Sequence, residues 1–379
     1  MPKNPSTSEN SADTPPRTRP AWRNPRTWLN PSVWVLPVTI LVILAVSVIG
    51  SMKPREQLAP PPPATTGVHG DKELIDVMKP YAPKKSSKVA ALVVTPEESK
   101  EALFGTTATS QMWVGSLSKL LTVQLFASSL SRGEVTYDTT LGEVFDMGDS
   151  PAASITLNEL AHHESGLGTW GNDEQAGVPY QFRTNILQPG QDPNPVTFQQ
   201  LLDRAKADPL SARGNYHYSN IGIALLGHAL AKKADTDYST LLKNRLLKPL
   251  DMNGTYVPGP GSLNTPRGFT ETGIHAPVWN MGAYAPGGGI VSTLMDLGRF
   301  ARAVAADPAE GLENTDQIVY RGFAHEEFGH RHILYKSGEV SGFSSAIVID
   351  PKAHTAVVVL SDDEMGVIDA AKVALAAHT

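Results

Sequence analysis

Cysteine is missing from all 379 residues. Its absence excludes disulfide frameworks, thiolate zinc sites, cysteine nucleophiles and lipid attachment through an N-terminal cysteine. Charged residues are also scarce at 18%, and the balance is acidic, −6 overall. That total hides an asymmetry: residues 1–55 carry seven cationic side chains against Glu9 and Asp13, a net +5 that leaves the remainder at −11. A body this acidic repels phosphate backbones, so no nucleic-acid partner is expected. Aromatic residues are few, at 7%, yet 41% of the residues are hydrophobic. That is enough to bury a sizeable core, which excludes a wholly disordered protein. No internal repeat is visible.

From Thr27 to Met52 no side chain is charged, and Val33 to Met52 is apolar over the length a helix needs to cross a bilayer, about 20 residues. The expectation is a transmembrane signal-anchor helix at 33–52. Arg17, Arg19, Arg23 and Arg26 precede it and only Lys53 and Arg55 follow closely, so the positive-inside rule places the N-terminus in the cytoplasm and the rest outside the cell membrane. A cleavable signal peptide is the competing reading, but its basic region would be long and no small-x-small cleavage site follows. Residues 1–32 read as a disordered cytoplasmic tail and 53–70 as a Pro-rich linker. Residues 71–379 have the composition of a folded domain, near the upper size for a single core and expected to show two lobes.

Within that domain, Lys88 to Thr95 reads as a strand, while Ser345 to Asp350 and Thr355 to Leu360 read as a hairpin about Pro351–His354. Met365 to Ala377 reads as a closing helix. Strands from both ends can share one antiparallel sheet with helices on its faces, an α+β fold whose middle section is mostly helical.

Three short segments carry chemistry. In Gly115-Ser116-Leu117-Ser118-Lys119, the apolar spacing of Leu117, Leu120, Leu121, Leu125 and Phe126 predicts a helix ending near Gly133, with Ser116 at its start. Residues three apart share a helix face, so the Ser116 hydroxyl and Lys119 amine can touch. The helix N-terminus favours the oxyanion that forms when a serine attacks a carbonyl. Lysine ordinarily titrates near about 10.4, so Lys119 serves as a base only if burial or a nearby cation depresses it. In Tyr218-Ser219-Asn220, a phenol and a carboxamide two apart can face one side, ahead of a buried helix from Ile221 to Leu230. In Lys336-Ser337-Gly338, a cation and a hydroxyl can receive a carboxylate, and Gly338 lets a ligand backbone approach the strand edge. Taken singly, each segment reads more simply as an N-cap, a core tyrosine or a surface lysine.

Together, in this order, the three resemble the S-x-x-K, Y-x-N and K-T-G elements of the penicillin-recognising serine enzymes, most closely the class C β-lactamase and DD-peptidase branch. The resemblance extends to 155–168 (ITLNELAHHESGLG), 241–257, 285–304 and 340–351, and covers about Asp71 to Thr379. It implies a β-lactamase/transpeptidase-like fold and a serine hydrolase. Ser116 would be the nucleophile, Lys119 its adjacent base or proton relay, and Tyr218 a second acid/base group kept partly ionised by the two lysines. Asn220 would hold a substrate amide, Lys336 and Ser337 the substrate carboxylate, and the N–H groups of Ser116 and Glu339 the oxyanion. Glu164 departs from the threonine of the family's H-T-S-G-L segment, and Ser337 replaces the threonine of K-T-G. Lys336 favours substrates bearing a carboxylate, such as D-Ala-terminated peptides or β-lactams, over simple esters. A non-hydrolytic receptor for penicillin or cell-wall peptides, and an esterase of the same fold, are the alternatives.

Other signals carry less. Gly166 to Gly171 spells G-x-G-x-x-G but follows a helical segment, not a strand, and reads as a loop. Gly287-Gly288-Gly289 reads as close packing near the wall of the site. His162, His163, His330 and His332 read as structural, since no third and fourth metal ligands suggest themselves. No cofactor or metal is expected.

Overall fold

The β-branched run at 88–95 forms a strand as expected, and its partner is the last strand of the chain. The strands are β1 Val68–Gly70, β2 Val89–Val94, β3 Ser99–Phe104, β4 Met112–Trp113, β5 Val291–Ser292, β6 Ala324–Phe328, β7 Arg331–Val340, β8 Phe343–Asp350 and β9 Thr355–Ser361. The main helices are α1 Lys72–Met78, α2 Ser118–Ser131, α3 Leu157–Ala161, α4 Phe198–Lys206, α5 Asn220–Lys233, α6 Leu294–Ala305 and α7 Ile368–His378. The computed structural model describes residues 67–82, 88–171, 196–259, 262, 265–270, 275–276, 280–306, 322–340, 342–363 and 366–379. The chain divides into two units, Met1–Ala59 and Pro60–Thr379, and every described residue belongs to the second.

Seven strands form one antiparallel sheet in the order β1-β3-β2-β9-β8-β7-β6. Leu92 of β2 faces Val358 of β9, which in turn faces Ile347 of β8. All residues of β2, β8 and β9 are buried. Near-continuous apolar runs of this kind mark strands covered on both faces. Alternation sorts them: Val89, Ala91, Val93, Val357 and Val359 pack with Leu74 and Met78 of α1 and Ala371 and Leu375 of α7. Ala90, Leu92, Val358 and Leu360 pack on the other face with Phe300 of α6. That second cluster continues without a break into Leu121 and Phe126 of α2 and Leu225 of α5. The helical part is thus a layer sharing the core of the sheet, not a lobe with a core of its own.

The β8–β9 hairpin forms where expected. Asp350 Oδ1 accepts from the N–H groups of Lys352 and Ala353, both at 3.0 Å, and so shapes the turn. Helix α2 also stops where expected, with Gly133 at φ +66° after the Arg132 cap.

Two expectations are corrected. Val68–Gly70, assigned to the linker, pairs with β3 as the edge strand of the sheet. The membrane-spanning helix included in the expected fold is not part of this architecture: among the described residues, no helix is long and apolar enough to cross a membrane. The run 33–52 itself, the tail 1–32 and linker residues 53–66 lie outside the described residues. The fold of the described residues is α+β.

Candidate active site

Ser116 sits in one 3-10 turn, Gly115–Leu117, that leads directly into α2. The turn is held from both sides. Val114 N–H donates to Ile290 O at 3.1 Å, Ile290 N–H donates to Ser118 Oγ at 3.2 Å, and Leu117 N–H donates to Val114 O at 3.1 Å. Gly115 has φ +50°, a conformation that side chains resist, and a Cβ there would lie 2.8 Å from Glu339 N. Gly338 answers it from β7, where a Cβ would lie 2.2 Å from Val114 O and 2.8 Å from Ser116 N. Two glycines therefore let the turn and the strand meet backbone to backbone. Strand β6 pairs β7 only from Arg331 to Tyr335, so the Lys336–Val340 stretch meets the turn along an edge that β6 leaves uncovered.

Lys119 is 2% exposed on a helix whose residues are buried without interruption from Ser118 to Ser129. Its Nζ lies 3.2 Å from Ser116 Oγ and 2.7 Å from Asn220 Oδ1, and also donates to Gly287 O. Burial, reinforced by the charge of Lys336, holds its ammonium well below the ordinary lysine range. A neutral amine has two hydrogens and one lone pair. Asn220 Oδ1 and Gly287 O only accept, so they take the hydrogens and leave the lone pair for the Ser116 hydroxyl proton. That is the hydrogen-bonding pattern of a general base.

Tyr218 and Asn220 reach this point from the mouth of α5. Ser219 caps the helix, its Oγ accepting the Gly222 N–H at 3.0 Å and donating to Gly168 O at 3.0 Å. Asn220 N–H donates to Thr169 O at 2.8 Å. The loop spelling G-x-G-x-x-G is thus the clamp on the Tyr218–Asn220 turn. Tyr218 OH lies 2.6 Å from Ser116 Oγ, and its ring stands 4.7 Å from Lys119 Nζ and 5.3 Å from Lys336 Nζ.

The phenol is not held ionised in this cleft. Burial pushes its titration up, and the hydrogen bond to Ser116 offsets that only in part. The expectation of a partly ionised Tyr218 assumed two cations beside it. Burial also disfavours the charged form of Lys119, which weakens the support it can give a phenolate.

Lys336 is half-buried, and burial pushes it down to about 8. Among the described residues no carboxylate pairs with it, and none of them compensates its charge. Ser337 is exposed on β7, and among the described residues no hydrogen bond joins its hydroxyl to the cluster. Six of the expected residues, Ser116, Lys119, Tyr218, Asn220, Lys336 and Gly338, meet at one place, with the Glu339 backbone beside them.

Three residues take roles that were not anticipated, although close packing was expected at Gly287. His163 packs its ring 4.9 Å from that of Tyr218 and accepts the Ser219 N–H on Nδ1 at 3.1 Å. Desolvation, then the charges of Lys119 and Lys336, push it down to about 3, so it stays neutral. Its place in the H-x-S-G-L segment was the signal available. Gly287 supplies a carbonyl to Lys119, and its own Cβ position lies 2.9 Å from Asn220 O. Ser345 Oγ donates to Val114 O at 2.8 Å, riveting β8 to the Ser116 turn.

Comparison with known proteins identifies the family. The family model described as Beta-lactamase matches residues 87–378. The chain belongs to the beta-lactamase family, within the penicillin-recognising serine hydrolases. A Beta-lactamase of Providencia stuartii is 26% identical over 221 residues, covering 55% of this chain and 52% of that protein. The chain spans about half or less of the length of the relatives it matches. Among solved structures, a class C beta lactamase from Rhodobacter sphaeroides superposes with a TM-score of 0.63 at 17% identity, over 81% of this chain and 98% of that one. A beta-lactamase/D-alanine carboxypeptidase from Pseudomonas syringae gives 0.60 at 17% identity, over 80% and 95%. At that identity the likeness concerns the fold.

Proposed function

We propose that this beta-lactamase-family protein is a serine hydrolase of the class C β-lactamase/DD-peptidase type, cleaving an amide, lactam or ester through an acyl-Ser116 intermediate. The observation that carries the reading is the position of Ser116 Oγ, 2.6 Å from a phenol and 3.2 Å from an amine whose burial favours its uncharged form.

Ser116 Oγ attacks the substrate carbonyl carbon while its proton passes to Lys119 Nζ. The carbonyl oxygen takes up negative charge next to the N–H groups of Ser116 and Glu339, where the turn and β7 meet. When the intermediate collapses, the bond to the leaving nitrogen or oxygen breaks, and that atom takes a proton through Tyr218, which Lys119 replenishes. Water then attacks the acyl carbon, and its proton returns through the same groups to Ser116 Oγ.

Asn220 has its Oδ1 fixed by Lys119, so its Nδ2 is the end left for a ligand, and it suits a substrate carbonyl oxygen. Lys336, which no carboxylate among the described residues pairs, favours with Ser337 beside it a substrate carrying a carboxylate. A β-lactam and a D-Ala-terminated peptide both satisfy this.

The test is the purified chain assayed in parallel on nitrocefin, a D-Ala-D-Ala peptide and a short-chain aryl ester, with Ser116→Ala as control. Turnover of a carboxylate-bearing substrate that Ser116→Ala abolishes supports the reading. A stable adduct with labelled penicillin and no second cycle would replace it with the receptor reading. Turnover of the ester alone would replace it with an esterase.

A further inference from the structure

Away from this cleft, on the opposite face of the sheet, the first and last helices of the domain bring three potential ligands together. Asp71 caps α1, Glu73 lies in its first turn, and His378 ends α7. We propose that Asp71, Glu73 and His378 bind a divalent transition-metal ion, with Zn2+ as the reference, that ties α1 to α7.

The imidazole carries the argument. Its Nδ1 lies 2.9 Å from Ala374 O. A carbonyl only accepts, so Nδ1 bears the hydrogen and a neutral ring presents its lone pair on Nε2. That Nε2 is buried and has no hydrogen-bond partner among the described residues. A buried polar atom left unmatched calls for an explanation, and an ion is one. Histidine ligands in metal sites characteristically donate their other nitrogen to a backbone carbonyl, which fixes tautomer and ring orientation. His378 already has that arrangement.

One ligand atom from each of Asp71, Glu73 and His378 lies within 4.8 Å of the others. Ligands around a tetrahedral zinc stand about 3.4 Å apart, so the cluster must close by roughly 1 Å. The Glu73 side chain, exposed on a helix, can make that movement. Asp71 is already oriented, since its Oδ1 accepts the Leu74 N–H at 3.0 Å. Lys100 is the competing cation, with Nζ 3.9 Å from Glu73 Oε2. It stands closer to Glu98 Oε1, at 3.3 Å, and retains that partner when Glu73 turns to the metal. One imidazole with two carboxylates suits Zn2+ or Mn2+ better than Mg2+, which prefers oxygen ligands and retained water. The site joins α1 to α7 across the sheet from α2, so its effect falls on stability and leaves the Ser116 chemistry alone.

The experiment uses the full-length chain without a histidine tag, stripped with chelator and titrated with ZnCl2 by calorimetry and thermal denaturation. The expected result is one high-affinity ion per chain and a rise in Tm of roughly 3 °C or more at saturation. Both are lost in His378→Ala and Glu73→Gln and kept in His332→Ala, which removes the exposed His325–His332 pair on β6 and β7. Co2+ loaded in place of Zn2+ gives a visible absorption band that disappears in His378→Ala. The proposal is overturned if wild type shows no Zn2+-dependent shift, if His378→Ala shifts equally, or if His332→Ala is the variant that loses binding. An equal rise with Mg2+ in wild type and His378→Ala also overturns it, as that marks simple screening of an acidic surface.

Discussion

Lys119 Nζ and Asn220 Oδ1 lie 2.7 Å apart, a buried amine held by a neutral acceptor from a different helix. Neutrality of that acceptor matters, because a carboxylate in its place would return the amine to its charged form. Asn220→Asp should raise the titration of Lys119 by about 1–3 units. The acid limb of the kcat/KM profile then moves to higher pH, and activity at pH 7 falls at least tenfold. A pH–rate profile of wild type and variant checks this, and an unmoved acid limb would remove Lys119 from the base role.

Lys336 has a second pH signature. Pushed down to about 8 by burial, its ammonium is charged below that value and lost as pH rises through it. For a carboxylate-bearing substrate, kcat/KM, which reports the free enzyme, should fall above pH 8. Bound anion holds the proton on, so kcat falls later. A neutral ester should show neither effect. Lys336→Met should raise KM for the carboxylate substrate by roughly 10-fold to 150-fold, the worth of a hydrogen bond to a charged group.

Gly338 tests the backbone crossing. In Gly338→Ala the new methyl would lie 2.2 Å from Val114 O and 2.7 Å from Ser345 Oγ, so β7 has to lift from the Ser116 turn. The expected outcome is a stability loss of about 1–3 kcal/mol in urea unfolding. Acylation should slow by at least about 100-fold, the usual effect of disturbing one oxyanion donor. Wild-type acylation in a folded variant would show that the crossing is not part of the chemistry.

His163 links the cleft to acid stability. Its folded value is about 3 against 6.5 in the open chain, so between those values the unfolded state binds the extra proton. Stability is fully present above 6.5 and is lost as pH falls toward 3. From pH 7 to 5 the loss from this residue is about 2 kcal/mol. His163→Asn tolerates the local φ of 59° and removes the titration. Unfolding free energies of wild type and variant should therefore converge by about that amount at pH 5.

The features legible in the sequence were those set by neighbours along the chain. Ser116 and Lys119 are three residues apart on an apolar helix, Ser219 precedes α5 as a cap, and Pro351–His354 separates two β-branched runs. Their order was enough to point to the fold. What the sequence left hidden depends on contacts between distant segments. Gly287 lends a carbonyl, which every residue has, so composition cannot flag it. His163 gains its role by the ring it touches, and Ser345 by a strand crossing. The ionisation of Tyr218 was misjudged because the charge state of Lys119 depends on how completely α2 is enclosed. Val68–Gly70 is too short to show a strand pattern, and it is ordered by pairing with β3.

The centre of the sheet is made by strands from opposite ends of the domain, β2 lying against β9 with Leu92 facing Val358. During synthesis, the segments bearing Ser116, Lys119 and Tyr218 emerge long before their supporting strands do. Long-range pairing of this kind closes late, after nearly the whole polypeptide is available. A product terminated before β8 therefore carries Ser116, Lys119, Tyr218 and Lys336 and has no cleft in which to assemble them.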